Sequence, residues 1–304
     1  MSGKKLICIG LILGCLSAAI YFTSSRVNHP AIGYDEVAGS YTVSKTLRFG
    51  YTLQNTRNRL LSDIAFLVRL PLQQTPSQQI IKLTCSQPHQ IIDSPSGAHT
   101  LKIDFDTFPP FASKIVQLRV DMMMAEQPNA IRESSLSKYL QAEDYIETES
   151  AEIQKAAAKI SLGLQGQDAA VRIGRWVSDH IAYSGYVRNQ RGALYALRTG
   201  SGDCTEHMHL FVALCRAAGI PARGVAGYTC ERSRVLRPVD YHNWAEVYLD
   251  GRWAIVDPQK RIFDLNTEDY VATGFVGATD TGPYPRFQQY WCSSDRVSVK
   301  MNSL

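Results

Sequence analysis

The sequence predicts an α+β fold with two parts, a β-rich amino-terminal region followed by a region that starts with helices and ends with strands. Three observations support this prediction. Short apolar runs separated by turn residues occupy residues 34–123, helical periodicity begins near residue 150, and a two-residue hairpin signal follows the helices. Strands followed by helices and then by further strands are typical of α+β order.

Composition limits the classes of function. The 304 residues are 45% hydrophobic and 20% charged, and the net charge of +4 is mild. Lysines and arginines do not cluster with aromatic residues, so we expect no nucleic-acid partner. No spacing among the cysteines and histidines forms a zinc pattern, so we expect neither a metal nor another cofactor.

Residues 1–26 predict export. Lys4 and Lys5 precede the apolar run Leu6–Phe22, as in a signal peptide or an amino-terminal membrane anchor. As a helix the run would rise about 25 Å, slightly less than a ~30 Å hydrocarbon core. Leu11–Cys15 also resembles a lipoprotein box. Cleavage, anchoring and lipidation all place the remaining chain outside the cytoplasm, in the periplasm or on the cell surface, either membrane-anchored or secreted.

The region 34–123 predicts a small antiparallel β-sandwich-like domain without chemistry of its own. Turn residues separate its apolar runs, as expected for short antiparallel strands. A linker is expected at 124–149. The expected strands are Ser40–Tyr51, Ile64–Leu72, Ile80–Thr84, Thr100–Phe105 and Ile115–Met122.

Residues 150–304 form the second predicted domain. Ile153, Ala157 and Ile160 repeat at helical spacing, and Ala169–Ile181 and Ala193–Leu197 predict two further helices.

A fourth helix carries the first candidate site residue. Gly202 allows a tight turn, Asp203 is a preferred N-cap residue, and Glu206 completes a capping box with it. Cys204 is then the first helical residue, and Gly219 ends the helix. The capping role is the preferred interpretation of both acidic residues.

A thiol at a helix start lies at the positive end of the helix dipole. Unpaired N–H groups and the dipole both favour the thiolate, which is the nucleophilic form. The same N–H groups can hold an oxyanion. Cys204 is therefore a candidate nucleophile, whereas Cys215 in the same helix is expected to be a buried structural cysteine.

The second candidate pair lies on a predicted hairpin. Asp250–Gly251 between two β-type runs indicates a two-residue turn, which pairs Leu249 with Arg252. This register puts His242 and Asp257 on one face as diagonal neighbours. The carboxylate could then bind one imidazole nitrogen and leave the other free to deprotonate a thiol.

These motifs together resemble those of the bacterial transglutaminase-like superfamily. The resemblance spans about residues 151–258. It rests on Gly202–Glu206 (GDCTE), Leu210–Arg223 (LFVALCRAAGIPAR), Gly227–Tyr228, His242–Glu246 (HNWAE) and Trp253–Pro258 (WAIVDP).

The resemblance implies a papain-like transglutaminase core, with a nucleophile helix packed on an antiparallel sheet. It also implies a catalytic triad of Cys204 as nucleophile, His242 as base and Asp257 as the residue that orients the histidine. Thr205 departs from the tryptophan that follows the cysteine in animal crosslinking transglutaminases, which favours hydrolysis over crosslinking.

The expected function is therefore that of an exported thiol enzyme that cleaves an amide or peptide bond through an acyl-enzyme. The expected substrate is a peptide or protein of the cell envelope, and the amino terminus is expected to associate with the membrane. The sequence also allows two alternatives. An amine could resolve the acyl-enzyme, which gives transamidation, or the fold could serve a non-enzymatic binding or assembly role in the envelope.

Overall fold

The computed structural model describes residues 23–25, 40–94, 97–187, 189–263, 267–277 and 287–302. The apolar run Leu6–Phe22, on which the predicted signal peptide or anchor depends, lies outside the described residues. No helix within the described ranges is both long enough and apolar enough to cross a bilayer.

All five strands expected in the amino-terminal region are present, together with three shorter ones. Alternating apolar residues define most of them. The strands are β1 (Thr23–Ser25), β2 (Val43–Asn55), β3 (Leu61–Arg69), β4 (Gln74–Thr75), β5 (Gln78–Cys85), β6 (Gln90–Asp93), β7 (His99–Phe108) and β8 (Ser113–Met124).

The amino-terminal strands form two sheets with a shared apolar core. One sheet has the order β1-β5-β8-β2, and β3, β7 and β6 lie side by side in the other. The Tyr51 ring on β2 meets the Phe66 ring on β3 at 5.2 Å between centroids, so the inner faces of the two sheets are in contact. This is the predicted sandwich.

Four helices follow, as the periodicity predicts. They pack around the last one, which is buried along nearly its whole length. The elements are α1 (Ala151–Ile160), α2 (Gly166–His180), β9 (Ala182–Tyr183), α3 (Gly192–Thr199), β10 (Ser201–Gly202) and α4 (Cys204–Ala217).

A four-stranded antiparallel sheet packs against α4. Its order is β14-β13-β11-β15, and a short strand between β11 and β13 pairs with β2 of the sandwich instead. The new strands are β11 (Ala222–Thr229), β12 (Arg234–Val235), β13 (Tyr241–Leu249), β14 (Arg252–Val256) and β15 (Tyr270–Val276).

The predicted hairpin register is confirmed. Leu249 pairs with Arg252. Asp250 and Gly251 have φ angles of 49° and 78°, as a tight turn with two left-handed residues requires. The register of β13 and β14 is therefore the predicted one, and it brings His242 and Asp257 close together.

Both faces of this sheet are covered. Ala245 and Val247 pack with the helices, whereas Trp244 packs with Leu72 and Ala98 of the sandwich on the other face. The side chains of β13 are consequently buried on both faces, which places the polar ones among them in a medium of low dielectric constant.

The last described strands belong to the sandwich, which differs from the expected division at residue 150. The last strands, β16 (Tyr290–Cys292) and β17 (Val297–Asn302), pair with β3 and β2 respectively. These pairings satisfy backbone donors and acceptors that β2 and β3 would otherwise leave unpaired along one edge. The segment expected as a linker, 124–149, is also packed, since the Ile131 N–H donates to the Gly251 carbonyl at 2.8 Å.

Candidate active site

The start of α4 is fixed by the capping box that the sequence predicts. The Thr205 N–H donates to Asp203 Oδ1 at 2.7 Å, and the Asp203 N–H donates to Glu206 Oε2 at 3.0 Å. A Cβ on Gly202 would lie 2.3 Å from Cβ of Glu206, so only glycine fits before the cap. These contacts place Cys204 at the first helical position.

Both capping acids also hold the loop that precedes α3. Asp203 Oδ2 accepts the Val187 N–H at 2.9 Å. Glu206 accepts from the Arg191 backbone at 3.1 Å and from its guanidinium at 3.0 Å. The carboxylates of Asp203 and Glu206 are thus engaged in holding backbone, in agreement with their expected capping role.

His242 and Asp257 are in direct contact. His242 Nε2 lies 2.7 Å from Asp257 Oδ2, and both side chains are buried. The Lys260 N–H donates to the other carboxylate oxygen at 3.1 Å. Burial alone would raise the pKa of Asp257, but the hydrogen bond and charge of His242, with the Lys260 N–H, outweigh it, and the pKa is lowered. Asp257 is therefore ionised at neutral pH, and Nε2 must carry the proton of this hydrogen bond.

The Cys204 thiol is half-buried beside β13. Burial, followed by the negative charge of Asp203, raises its pKa to about 12, although the Asn243 N–H and the Thr205 hydroxyl act in the opposite direction. The helix start alone therefore does not produce the thiolate, which differs from the sequence-based expectation. The reason is that desolvation of a buried sulfur outweighs the partial charge of the helix terminus.

A chain of side-chain hydrogen bonds leads to the thiol. The Tyr241 hydroxyl donates to Asn243 Oδ1 at 2.8 Å, and Asn243 Nδ2 donates to Thr205 Oγ1 at 2.9 Å. The Thr205 oxygen accepts one hydrogen bond and keeps its own proton for Cys204. These contacts join β13 to the start of α4. The signal for this role in the sequence is Thr205 itself, at the position where animal crosslinking transglutaminases have a tryptophan.

Tyr270 is a further residue at the site that the sequence did not indicate. Its hydroxyl donates to Asp257 Oδ2 at 2.9 Å. Tyr270 lies on β15, at the opposite edge of the sheet from β14, and no short-range pattern links it to Asp257.

Across the described parts of the chain, no three His, Cys, Asp or Glu side chains are placed to hold a metal ion together. His207, which lies near Cys204 in the sequence, is buried, and its Nδ1 lies 2.8 Å from the Asp203 carbonyl oxygen.

Comparison with known families gives a match to the part of the chain that contains this arrangement. The model of the transglutaminase-like superfamily matches residues 154–258, which include Cys204, His242 and Asp257. Residues 154–258 are a transglutaminase-like domain. The match begins within α1 and ends at Pro258, directly after Asp257, so the transglutaminase-like domain contains the capped helix and the hairpin.

Among the curated proteins and solved structures that resemble the chain are a peptidase and a candidate cysteine protease. Kyphoscoliosis peptidase is 32% identical in Homo sapiens and 30% in Mus musculus over 91 residues, which cover 27% of this chain and 14% of the peptidase. The solved structure of a candidate cysteine protease from Cytophaga hutchinsonii aligns with 86% of this chain and 93% of its own, with a TM-score of 0.57 and 20% identity. This likeness concerns the fold, and it extends beyond the transglutaminase-like domain.

Proposed function

We propose that the chain is an exported thiol enzyme that cleaves an amide or peptide bond through an acyl-enzyme. Cys204 is the nucleophile, His242 the base and Asp257 the residue that orients the base. The observation that carries the proposal is the 2.7 Å contact between His242 Nε2 and a buried, ionised Asp257. This contact fixes the imidazole tautomer, which a histidine needs in order to act as a base.

The tautomer determines which nitrogen reacts. Because Asp257 accepts the Nε2 proton, Nδ1 of His242 has the free lone pair. The Cys204 sulfur lies near the N–H of Asn243, the residue that follows His242. Nδ1 accepts the thiol proton as the sulfur attacks the substrate carbonyl carbon. This transfer is required, since the pKa of Cys204 is raised to about 12 and the thiol is neutral at pH 7.

In the remaining steps, His242 passes this proton to the leaving group and then takes up another from water. The imidazolium donates it to the leaving amine as the C–N bond breaks, which leaves a thioester on Cys204. Water then attacks the thioester, His242 accepts a proton from that water, and the proton returns to the departing sulfur. The product is a carboxylic acid, and the enzyme regains its starting state.

An oxyanion can be held at the start of α4. The first-turn donors are the N–H groups of Cys204, Thr205 and Glu206, and the Asp203 side chain accepts the last two. The Cys204 N–H is therefore the first-turn group that remains for the oxyanion of a tetrahedral intermediate. The sequence suggested that all N–H groups of the first turn could hold the oxyanion, whereas two of them bind the Asp203 side chain instead.

Export and an envelope substrate are part of the proposal. They rest on Lys4, Lys5 and the apolar run Leu6–Phe22, as the sequence shows them. Expressed in a bacterium with a carboxy-terminal tag, the full chain is expected to be digested by protease added to intact spheroplasts. Protection of the tag until lysis would contradict export.

The reaction is tested with a peptide library and mass spectrometry. The full chain in detergent is incubated with the library, with and without an added primary amine. We expect cleaved peptides with new carboxyl termini, and at least about a 10³-fold loss of rate in Cys204→Ala. Cys292→Ser, which changes a half-buried cysteine of the sandwich, is the matched control and should keep the wild-type rate.

The same experiment separates the alternatives. Products that carry the added amine instead of a free carboxyl group would replace hydrolysis by transamidation. Unchanged peptides, together with a Cys204 thiol that reacts with iodoacetamide no faster than a free cysteine at pH 7, would indicate a non-enzymatic role in the envelope.

A further inference from the structure

Asp257 Oδ2 accepts two hydrogen bonds from different parts of the sheet. His242 Nε2 lies 2.7 Å from this oxygen and the Tyr270 hydroxyl lies 2.9 Å from it. The other oxygen, Oδ1, accepts the Lys260 N–H at 3.1 Å. Since Asp257 is fully buried, these three donors take the place of water around the carboxylate.

The sheet is built so that Tyr270 can reach this position. Tyr270 is on the edge strand β15, and β11 and β13 lie between it and β14. Gly227 on β11 pairs with His242, and a Cβ at Gly227 would lie 2.8 Å from the Trp244 ring. The glycine therefore leaves space above β11, where the Trp244 and Tyr270 rings meet edge to face at 5.0 Å.

The hydroxyl of Tyr270 can act only as a donor toward Asp257. Burial, followed by the charge of Asp257, raises the pKa of Tyr270 far above its usual range. The phenol is therefore protonated at neutral pH. An ionised carboxylate has no proton to donate, so the phenol proton is directed at Oδ2.

We infer that Tyr270 is a positioning residue for the reaction, because its hydroxyl holds the Asp257 carboxylate in the orientation that binds His242 Nε2. This inference rests on the proposed function, in which Asp257 orients the base. With two oxygens and a rotatable bond, Asp257 could otherwise turn between donors. The Tyr270 hydroxyl and the Lys260 N–H each hold one oxygen, so the plane of the carboxylate is fixed.

Two effects follow for the reaction when this hydroxyl is removed. The buried carboxylate loses a donor, so its pKa rises, and it becomes protonated and stops orienting the imidazole at a higher pH than in wild type. The imidazole is also oriented less well, which affects the rate of proton transfer more than substrate binding. Tyr270 should therefore alter kcat and the acid side of the pH profile, with little effect on KM.

Tyr270→Phe tests the inference, because phenylalanine keeps the ring that packs on Trp244. Tyr248→Phe is the matched control, since Tyr248 is also on the sheet but its hydroxyl donates to the Ile131 carbonyl at 2.7 Å. Alkylation of Cys204 by iodoacetamide is measured from pH 4 to pH 9 in the full chain. This readout needs no substrate, and peptide turnover is measured beside it.

We expect Tyr270→Phe to lower the alkylation rate and kcat by about tenfold, the effect of one hydrogen bond to a charged group. KM should stay within about twofold. The acid limb of the alkylation profile should move to higher pH, whereas Tyr248→Phe should leave the profile unchanged. In a double-mutant cycle with Asp257→Asn, the two losses should not add, because Tyr270 acts through Asp257.

The outcomes separate this inference from the proposed function. If His242→Ala does not change the alkylation profile of Cys204, the proposed function fails and the inference falls with it. If His242→Ala abolishes fast alkylation but Tyr270→Phe leaves the profile as in wild type, the inference alone is overturned. Additive losses in the double-mutant cycle would also overturn it, since they would reduce Tyr270 to a structural residue.

Discussion

The sandwich and the transglutaminase-like domain bury their strands in different ways. In β8 of the sandwich, buried positions alternate with exposed ones over most of the strand. In β11 and β13 nearly every position is buried. The cause is coverage: β8 has one face toward the sandwich core, whereas the domain sheet has helices on one face and the sandwich on the other.

Buried polar groups in the two regions can be compared by the partners that they bind. In the sandwich, Lys45 Nζ donates to the Cys230 carbonyl at 2.6 Å, and Gln78 binds backbone groups on both sides. In the domain, His242 and Asp257 bind each other. Polar side chains that bind backbone hold elements together, whereas two titratable side chains that bind each other can move a proton.

The largest effect on the reaction is expected when the base, His242, is removed from the domain. In His242→Ala we expect alkylation of Cys204 at pH 7 to fall by at least about 100-fold, because a thiol without a base is mostly neutral below its pKa. The pKa of Cys204 is raised to about 12 by burial, so the rate should recover only in strong alkali. The measurement is the iodoacetamide rate against pH.

His180→Ala is the matched control for this variant. His180 binds the Leu197 carbonyl at 2.9 Å and stacks on Trp176, away from the hairpin. An equal loss of alkylation in both variants would mean that the effect of His242 is structural.

The next largest effect is expected from Asp257→Asn. The amide would favour the other imidazole tautomer, and we expect kcat to fall by about 100-fold or more. The pKa of Asp257 is lowered in the folded chain, where the contact with His242 outweighs the effect of burial. The ionised carboxylate therefore stabilises the fold above its unfolded pKa of about 4 and loses this contribution only as pH falls through the lower folded value.

Chemical unfolding at pH 7 and at pH 3 checks the sign of this effect. The free energy of unfolding of wild type should decrease toward acid, and that of Asp257→Asn should decrease less. The same decrease in both proteins would assign the acid sensitivity to other groups.

How much of the site could be predicted depends on how far apart its interacting residues lie along the sequence. The capping box of Asp203 and Glu206 is local in the sequence, and the contact of His242 with Asp257 follows from a two-residue turn. Tyr270 could not be found in this way, because β15 follows β14 in the chain but pairs with β11 on the far side of the sheet. Such a crossing is set by tertiary packing and leaves no periodic signal.

The burial of Cys204 was missed for a related reason. The sequence shows the helix start but not the packing of β13 against it, which places Asn243 beside the sulfur. Residues 150–304 were predicted as one domain, whereas Val297–Asn302 pairs with β2 of the sandwich. Its partner, the free edge of β2, is about 250 residues away in the chain, and the alternation of a strand does not specify which edge it joins.

A smaller effect is expected at the contact between α4 and β13, where polar side chains of the domain join a helix to a strand. Thr205→Val keeps the shape of the side chain but removes the oxygen that accepts from Asn243 Nδ2 at 2.9 Å. We expect kcat to fall by about tenfold, because the buried amide loses its acceptor and the thiol loses a donor. The measurement is peptide turnover, with melting temperature recorded in parallel.

Thr273→Val is the control for this variant. Thr273 is buried on β15, and its hydroxyl lies 3.0 Å from the Ala226 carbonyl and 3.0 Å from Gln289 Oε1, so its hydrogen bonds are made to neither Asn243 nor Cys204. If Thr273→Val lowers kcat as much as Thr205→Val, the contact between Thr205 and Asn243 has no specific role in the reaction.

The smallest effect on the reaction is expected where the sandwich holds the domain. Gln78 Nε2 donates to the Ala272 carbonyl at 3.0 Å, and its Oε1 accepts the Ala272 N–H at 2.7 Å, so the side chain occupies the free edge of β15 as a neighbouring strand would. In Gln78→Ala the Ala272 carbonyl keeps the Leu72 N–H at 2.8 Å, but the Ala272 N–H loses its Gln78 acceptor, and we expect a loss of about 1–3 kcal/mol in the free energy of unfolding. Because Gln78 contacts neither Cys204 nor His242, kcat should stay within about twofold of wild type at a temperature where both proteins are folded.

Gln79→Ala is the control for this variant. Gln79 is one position along β5 and partly exposed, so its substitution should change neither the free energy of unfolding nor kcat. A large loss of kcat in Gln78→Ala without a loss of stability would mean that the sandwich takes part in the reaction, and the division between a supporting region and a reactive one would then not hold.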